Sequence, residues 1–270
     1  MPVAWTSEDL AALPPDTDGL SVRIPVPDDG DLRLIARLKH LEDLQINEPG
    51  LITDAGIRAL ASLPRLKTLS CSFGDVTPEG LASLAECRTL RRLSLSVGRM
   101  NDDALRAIGG LASLERFHLS GCGAATDEGI KELARLTRLK SLGLSWSNGL
   151  TGKTFDALAA LRELATLDLT GMGLSTEGTA AIARIPSLRR LKLYDAGVGD
   201  DHLRALAACK RLEDLSIYHD HREPRSPTDA GVAALSSVRT LRRFTVTGAG
   251  VTAEAVGKLS ASLGIVAYVR

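Results

Sequence analysis

Leu90-Arg91-Arg92-Leu93-Ser94-Leu95-Ser96 alternates apolar and polar residues, which is the pattern of a half-buried strand. Just ahead of it, Thr77-Pro78-Glu79-Gly80-Leu81-Ala82-Ser83-Leu84-Ala85-Glu86-Cys87 places its apolar residues three apart, which makes one helical face. The start of that helix is well marked. Thr77 is a good N-cap, Pro78 fits the first helical position, and Glu79 suits the positive end of the helix dipole. Thr53-Asp54, Thr126-Asp127-Glu128, Ser175-Thr176-Glu177 and Thr228-Asp229 repeat the same start.

The strand half recurs nine times, opening at Leu41, Leu66, Leu90, Leu114, Leu139, Leu164, Leu188, Leu212 and Leu241. The step is 24 or 25 residues, except for 29 before the last unit. A fixed period of this size marks a solenoid, because one such unit cannot bury its apolar face alone. Stacked units give a parallel sheet with helices behind it. Helices are about 10 Å wide and strands about 4.8 Å apart, so the stack curves with the sheet on the inside. The predicted fold is an α/β solenoid, a horseshoe with a concave parallel sheet and convex short helices.

The pattern LxxLxLxxxxxTDxGLxxLAxLxxL, which covers about five-sixths of the chain, resembles the leucine-rich-repeat family. Its Thr-Asp-x-Gly-Leu helix start is similar to the short bacterial repeats and to the cysteine-containing repeats of F-box proteins, and the β/α layout resembles ribonuclease inhibitor. The resemblance implies a protein that holds another protein on its concave face. The chain departs from the family in one respect. The turn position that often carries Asn holds Pro49, Gly74, Gly98, Cys122, Met172, Ala196, Asp220 and Ala249, so backbone or hydroxyl groups are expected to satisfy the turn.

The expected organisation is an N-terminal cap over 1–31, leucine-rich repeats over 32–262 and a capping strand over 263–270. Within the caps, Thr6 to Leu13 reads as a short helix, Leu20 to Val26 as a lead-in strand and Leu32 to Leu41 as a first helix. Thr252 to Ser262 reads as a last helix and Ile265 to Val269 as a final strand. Trp5 is expected to cover the first layer.

Composition narrows the function. Of 270 residues, 44% are apolar but only 3% aromatic, so the core must be Leu, Ile, Val and Ala. Lys+Arg and Asp+Glu are both 33, and this balance argues against a nucleic-acid partner, which needs a basic excess. The first 16 residues lack the features of a signal peptide, and no window of 18 residues is uninterruptedly apolar, so no membrane association is expected. Cys71, Cys87 and Cys209 stand where sibling units have Leu or Val, and their spacing suits neither disulfides nor zinc. A cytoplasmic monomer is expected. Arg exceeds Lys by 25 to 8, which hints at a bacterial origin.

No Walker loop, dinucleotide fingerprint, H-E-x-x-H or nucleophile elbow is present, so no catalytic residue, metal or cofactor is assigned and the chain is not expected to be an enzyme. His219-Asp220-His221, with Asp195 one unit away, is the one metal-like cluster. It supports an alternative reading as a small-ligand or metal module.

A sharper reading comes from aligning the units. In L1-x-x-L4-x-L6-x7-x8, positions 3, 5 and 7 point out of the sheet. Position 7 is Ser or Thr in six units, Asn47 in one, and Tyr194 and Tyr218 in two neighbours. Stacking does not require those tyrosines. Position 8 holds Phe73 and Trp146 in two units, either as local packing under the neighbouring turn or as contacts at the rim. Arg92, Arg116, Arg190 and Arg243 share position 3 with Asp43 and Asp214, while His118, Asp168 and Lys192 stand at position 5. A mixed-sign face favours a protein partner. The long step inserts His221-Arg222-Glu223-Pro224-Arg225-Ser226-Pro227 beside Tyr218, and such insertions often mark a binding edge. The predicted protein-binding centre is therefore on the sixth and seventh repeats: Tyr194, Tyr218, Trp146, Lys192, Asp195, Asp168, His219, His221, Arg222 and Phe73. The rival role is a purely structural solenoid that assembles end to end.

Overall fold

Each recurring Leu-x-x-Leu-x-Leu stretch forms a strand, and each strand pairs with the next in the chain. The computed structural model describes residues 1–72, 76–96, 100–121, 123–146, 149–219, 226–247 and 250–269. Among these, the strands are β1 (Val3–Ala4), β2 (Gly19–Val22), β3 (Asp43–Ile46), β4 (Thr68–Ser72), β5 (Arg92–Ser96) and β6 (Arg116–Ser120). They continue as β7 (Ser141–Ser145), β8 (Thr166–Thr170), β9 (Arg190–Tyr194), β10 (Asp214–Tyr218), β11 (Arg243–Val246) and β12 (Val266–Val269). All twelve form one parallel sheet in chain order.

Behind the sheet run α1 (Ser7–Ala12), α2 (Asp29–Ile35), α3 (Asp54–Ala61), α4 (Pro78–Ser83), α5 (Asp102–Gly109) and α6 (Asp127–Leu133). A 3-10 helix over Phe155–Ala160 serves the fifth unit. Then come α7 (Thr176–Ala183), α8 (Asp200–Leu206), α9 (Asp229–Ala234) and α10 (Ala253–Leu263), the last ended by Gly264 in the left-handed region (φ 65°).

The register shows why the period is so regular. Leu44, Leu69, Leu93, Phe117, Leu142, Leu167, Leu191, Leu215 and Phe244 stand opposite one another across successive strands. All are buried, as is the position 6 row from Ile46 to Val246. Each buried Leu contributes about 1.5–3 kcal/mol. A one-residue slip would turn an entire row into solvent, so this register is strongly fixed. Cys71, Cys87 and Cys209 lie in the same core, and burial pushes the Cys71 thiol up and that of Cys209 up to about 12. Cys122 lies outside the described residues.

The Thr-Asp-x-Gly start does more than cap helices. The Thr53 N–H and hydroxyl both donate to Asp29, at 2.9 and 2.6 Å. Thr77 does the same to Asp54, Thr126 to Asp102, Thr151 to Asp127, Thr228 to Asp200 and Thr252 to Asp229. At Thr53, Thr77, Thr126, Thr228 and Thr252 the same hydroxyl also accepts from an N–H of its own helix. Each aspartate is the first helical residue of the preceding helix, so these bonds tie one unit to the next. The glycine follows from this. A Cβ on Gly56, Gly80, Gly129 or Gly231 would lie 2.5, 2.1, 2.4 or 2.4 Å from the preceding unit's carboxylate oxygen.

This ladder is interrupted twice. Pro78 stands where a carboxylate is needed, and Asn101 in the next unit only caps its own helix. At the second gap Gly152 replaces the aspartate, and Ser175 donates its N–H to the Thr151 carbonyl instead. There Thr176 follows Ser175, and Gly199 has no hydroxyl to offer. The buried His202 fills the place: Nδ1 accepts from the Gly199 N–H, which leaves the proton on Nε2 to donate to the Leu174 carbonyl at 3.0 Å. The sheet-to-helix turn is served by backbone where it is described after β8, with the Leu174 N–H reaching the Met172 and Ala196 carbonyls.

Two details of the N-terminal region differ from the sequence reading. The first helix of repeat type is Asp29–Ile35, not Leu32 to Leu41. Asp28-Asp29-Gly30-Asp31 looks too polar for a helix, yet Asp28 is its N-cap and forms a reciprocal box with Asp31. Trp5 does not cover the first layer. It is 59% exposed with the Arg23 guanidinium over its ring, while Ala4 and Leu10 are the buried residues there.

Candidate binding surface on the concave sheet

Strand alternation sends positions 3, 5 and 7 to the open face of the sheet. Along position 7, Ser96, Ser120, Ser145, Thr170, Tyr194 and Tyr218 are consecutive register partners. The two tyrosine rings meet with centroids 6.0 Å apart at 33°, within the range of favourable aromatic pairs. Tyr194 remains 40% exposed and Tyr218 is half-buried. Beside them, at position 5, Asp168 and Lys192 are partners across β8 and β9 and form an ion pair at 3.4 Å. At position 3, Arg243 grips Asp214 with two bonds of 2.5 and 2.8 Å, which holds the Asp214 carboxyl below its usual range; nearby Arg190 adds to this. A shallow cavity of about 320 Å³ lies over this part of the sheet, lined by Thr166, Asp168, Arg190, Lys192, Asp214 and Ser216 among others.

Position 8 has its own geometry. Gly121, Trp146, Gly171 and Asp195 all adopt left-handed backbone, with φ of 83°, 56°, 61° and 47°. Each thereby donates its N–H to the position 7 carbonyl of the next strand, at 2.7–2.9 Å. Glycine meets this requirement without cost. Trp146 and Asp195 hold it under strain of order 1 kcal/mol or more. The Trp146 ring rests on the next unit's Gly171, where a Cβ would come within 2.5 Å of ring atom Cε3. The ring is nevertheless 57% exposed. Local packing and an open aromatic surface thus coexist in one side chain.

The structure therefore brings Tyr194, Tyr218, Asp168 and Lys192 together on one face. Asp195 and His219 follow the tyrosines at the rim, and the His219 N–H donates to Thr247 Oγ1 at 2.7 Å. Trp146 lies at the same rim two strands away. Counted by strand, the tyrosines belong to the seventh and eighth units and the ion pair to the sixth and seventh, so the cluster spans three units rather than two. Phe73, His221 and Arg222 lie outside the described residues, as does most of the inserted loop. Among the described residues no group of three His, Cys, Asp or Glu side chains is placed to hold a metal ion. Also among them, no helix is long and apolar enough to cross a membrane.

Repeat, register and helix placement together define a leucine-rich-repeat solenoid. No family model matches the sequence, and no curated protein sequence matches it. Among solved structures, the chain is similar to one from the complex of Rad7 and Elc1 in yeast. The TM-score is 0.53 at 20% identity, over 92% of this chain and 74% of that one. That likeness is one of fold. A second similarity is to an internalin, InlF, from Listeria monocytogenes, with a TM-score of 0.47 at 18% identity, over 82% of this chain and 70% of that one.

Proposed function

We propose that the chain is a non-catalytic docking scaffold that holds a protein partner on its concave sheet. The contact centre is Tyr194 and Tyr218, flanked by the Asp168–Lys192 pair, with Asp195, Trp146 and His219 at the rim; from their sequence positions alone, His221 and Arg222 of the inserted stretch and Phe73 are assigned to the same contact. The observation that carries this reading is the tyrosine pair, in tilted ring contact with Tyr194 exposed, at a position where six sibling units keep Ser or Thr. Aromatic rings with a polar tip dominate binding hot spots. The yeast structure with a similar fold is itself of a protein complex, which is consistent with such a role.

The test is an affinity pull-down from the native organism with wild-type protein and with Tyr194→Ala/Tyr218→Ala, both shown to be folded by circular dichroism. Proteins retained by the wild type are expected to be lost or weakened at least about tenfold with the variant. An unchanged set would remove the tyrosine centre.

A second reading, end-to-end assembly, is favoured by one observation. The edge strands β1 and β12 each pair on one side only among the described residues, and they carry exposed Val3, Val266 and Tyr268. Sedimentation separates the two, because a monomer at high concentration is incompatible with assembly.

A further inference from the structure

The opposite rim of the sheet, where β6 to β9 begin, holds a cavity of about 770 Å³. Six cations line it: Arg116, Lys140, Arg162, Arg189, Arg190 and Arg211. Its lining contains a single carboxylate, Glu163. In a protein of zero net charge this is a concentrated basic site.

Its construction follows from the register. At position 3, Arg116, Ser141, Thr166 and Arg190 are consecutive partners, so two short hydroxyl residues separate two arginines. At position 2, Ala165 stands between Lys140 and Arg189 and leaves the floor open. The cations fall into two kinds. Lys140 is held by Glu115 at 2.9 Å and Arg189 by Glu213. Arg116, Arg162, Arg190 and Arg211 have no carboxylate within ion-pair distance among the described residues; Arg190 Nε donates to Thr166 Oγ1 at 3.2 Å, which leaves its two terminal nitrogens to a ligand.

We propose that this cavity is a docking site for an acidic segment of a protein, with Arg116 and Arg190 gripping carboxylates spaced along an extended chain. Three strand spacings put their backbones about 14 Å apart, and four residues of extended peptide span about 13 Å. Guanidinium forks bind carboxylates in bidentate fashion. Single-stranded nucleic acid fits less well. No aromatic side chain lines the cavity to stack a base. A single phosphate would fill only a fraction of the site. Thr166 and Arg190 line the concave cavity as well, so a peptide leaving the rim runs onto the concave sheet. The site stands on its own geometry and does not depend on the tyrosine centre.

The experiment is fluorescence anisotropy of fluorescein-labelled decaglutamate against the full chain at low salt, where exposed charges are least screened. Wild-type protein is expected to bind. Arg116→Ser/Arg190→Ser and Arg162→Ser/Arg211→Ser should each weaken binding about tenfold or more. The charge-matched control Arg37→Ser/Arg184→Ser, outside the cavity, should bind as the wild type. Absence of wild-type binding, or equal losses in cavity and control variants, would overturn the proposal. Tighter binding of tripolyphosphate or of a single-stranded oligonucleotide through the same arginines would overturn the peptide assignment.

Discussion

At the helix starts, six junctions between neighbouring units repeat one arrangement, a threonine of one unit bonded to the first helical aspartate of the unit before it. On the open sheet face, position 7 of the same repeats changes from serine to tyrosine with no change in the strand beneath it. The first set of residues is repeated because every copy bonds to its neighbour. The second set is free to vary because the side chains face away from the stack. Agreement between units therefore reports on assembly of the solenoid, and disagreement reports on what the solenoid meets.

The largest expected effect comes from breaking the agreement. A Cβ on Gly231 would lie 2.4 Å from Asp200 Oδ1 and 3.0 Å from the Asp200 Cα, and neither backbone nor carboxylate can retreat without opening the ladder. Gly231→Val is expected to destabilise by about 3 kcal/mol, measured by urea unfolding. Gly257 in α10 provides the contrast, since nothing lies near its Cβ position. There Gly257→Ala is expected to stabilise by about 0.5–1 kcal/mol, because alanine is the better helix former.

Removing the acceptor is the next test. Asp200 takes the Thr228 N–H and hydroxyl, both at 2.7 Å. Asp200→Ala is expected to cost about 2 kcal/mol, as hydrogen bonds to a charged group are lost. This change also carries a pH signature. Burial pushes the Asp29 and Asp200 carboxyls up. Hydrogen bonds from Thr53 and Gly56, or from Thr228 and Gly231, together with Arg33 or Arg204, outweigh it and hold both below the ordinary value of 3.8. A lowered folded value means the stabilisation is present above the unfolded pKa and is lost as pH falls through the folded one. Stability should thus fall as the pH drops below about 4, and that of Asp200→Ala should fall less than that of the wild type.

Most of this architecture was legible in the sequence because stacking imposes the same solution on every unit. Leu44 through Phe244 could be aligned by eye, and the alignment is the sheet register. The tyrosine pair was legible for the same reason, as an exception against that background. The aspartate ladder was not, although Thr-Asp-x-Gly was in view. Read within one unit, Asp54 and Asp229 suit the helix dipole, and only the stacked neighbours show that they accept from Thr77 and Thr252. The basic cavity is hidden in the sequence for a similar reason: Arg190 stands at position 3, but Arg162, Arg189 and Arg211 lie before the strand starts, away from the alternating positions of the open face.

The smallest expected effect on stability is also the one that separates the two regions. Tyr194→Ser/Tyr218→Ser installs the residue that sibling units already carry at position 7, so the strands, register and ladder have no reason to change. What is lost is a tilted ring contact, and such pairs contribute about 0.5–1.5 kcal/mol. The solvent-exposed area of Tyr194 is relieved at the same time, so the net cost should be within about 1 kcal/mol. A loss well above this in urea unfolding would mean that the rings help hold β9 to β10, and the tyrosines would then belong with the ladder as part of the stack. A near-neutral change accompanied by loss of the captured partner places them on the other side of the comparison, as residues kept for what they touch outside the chain.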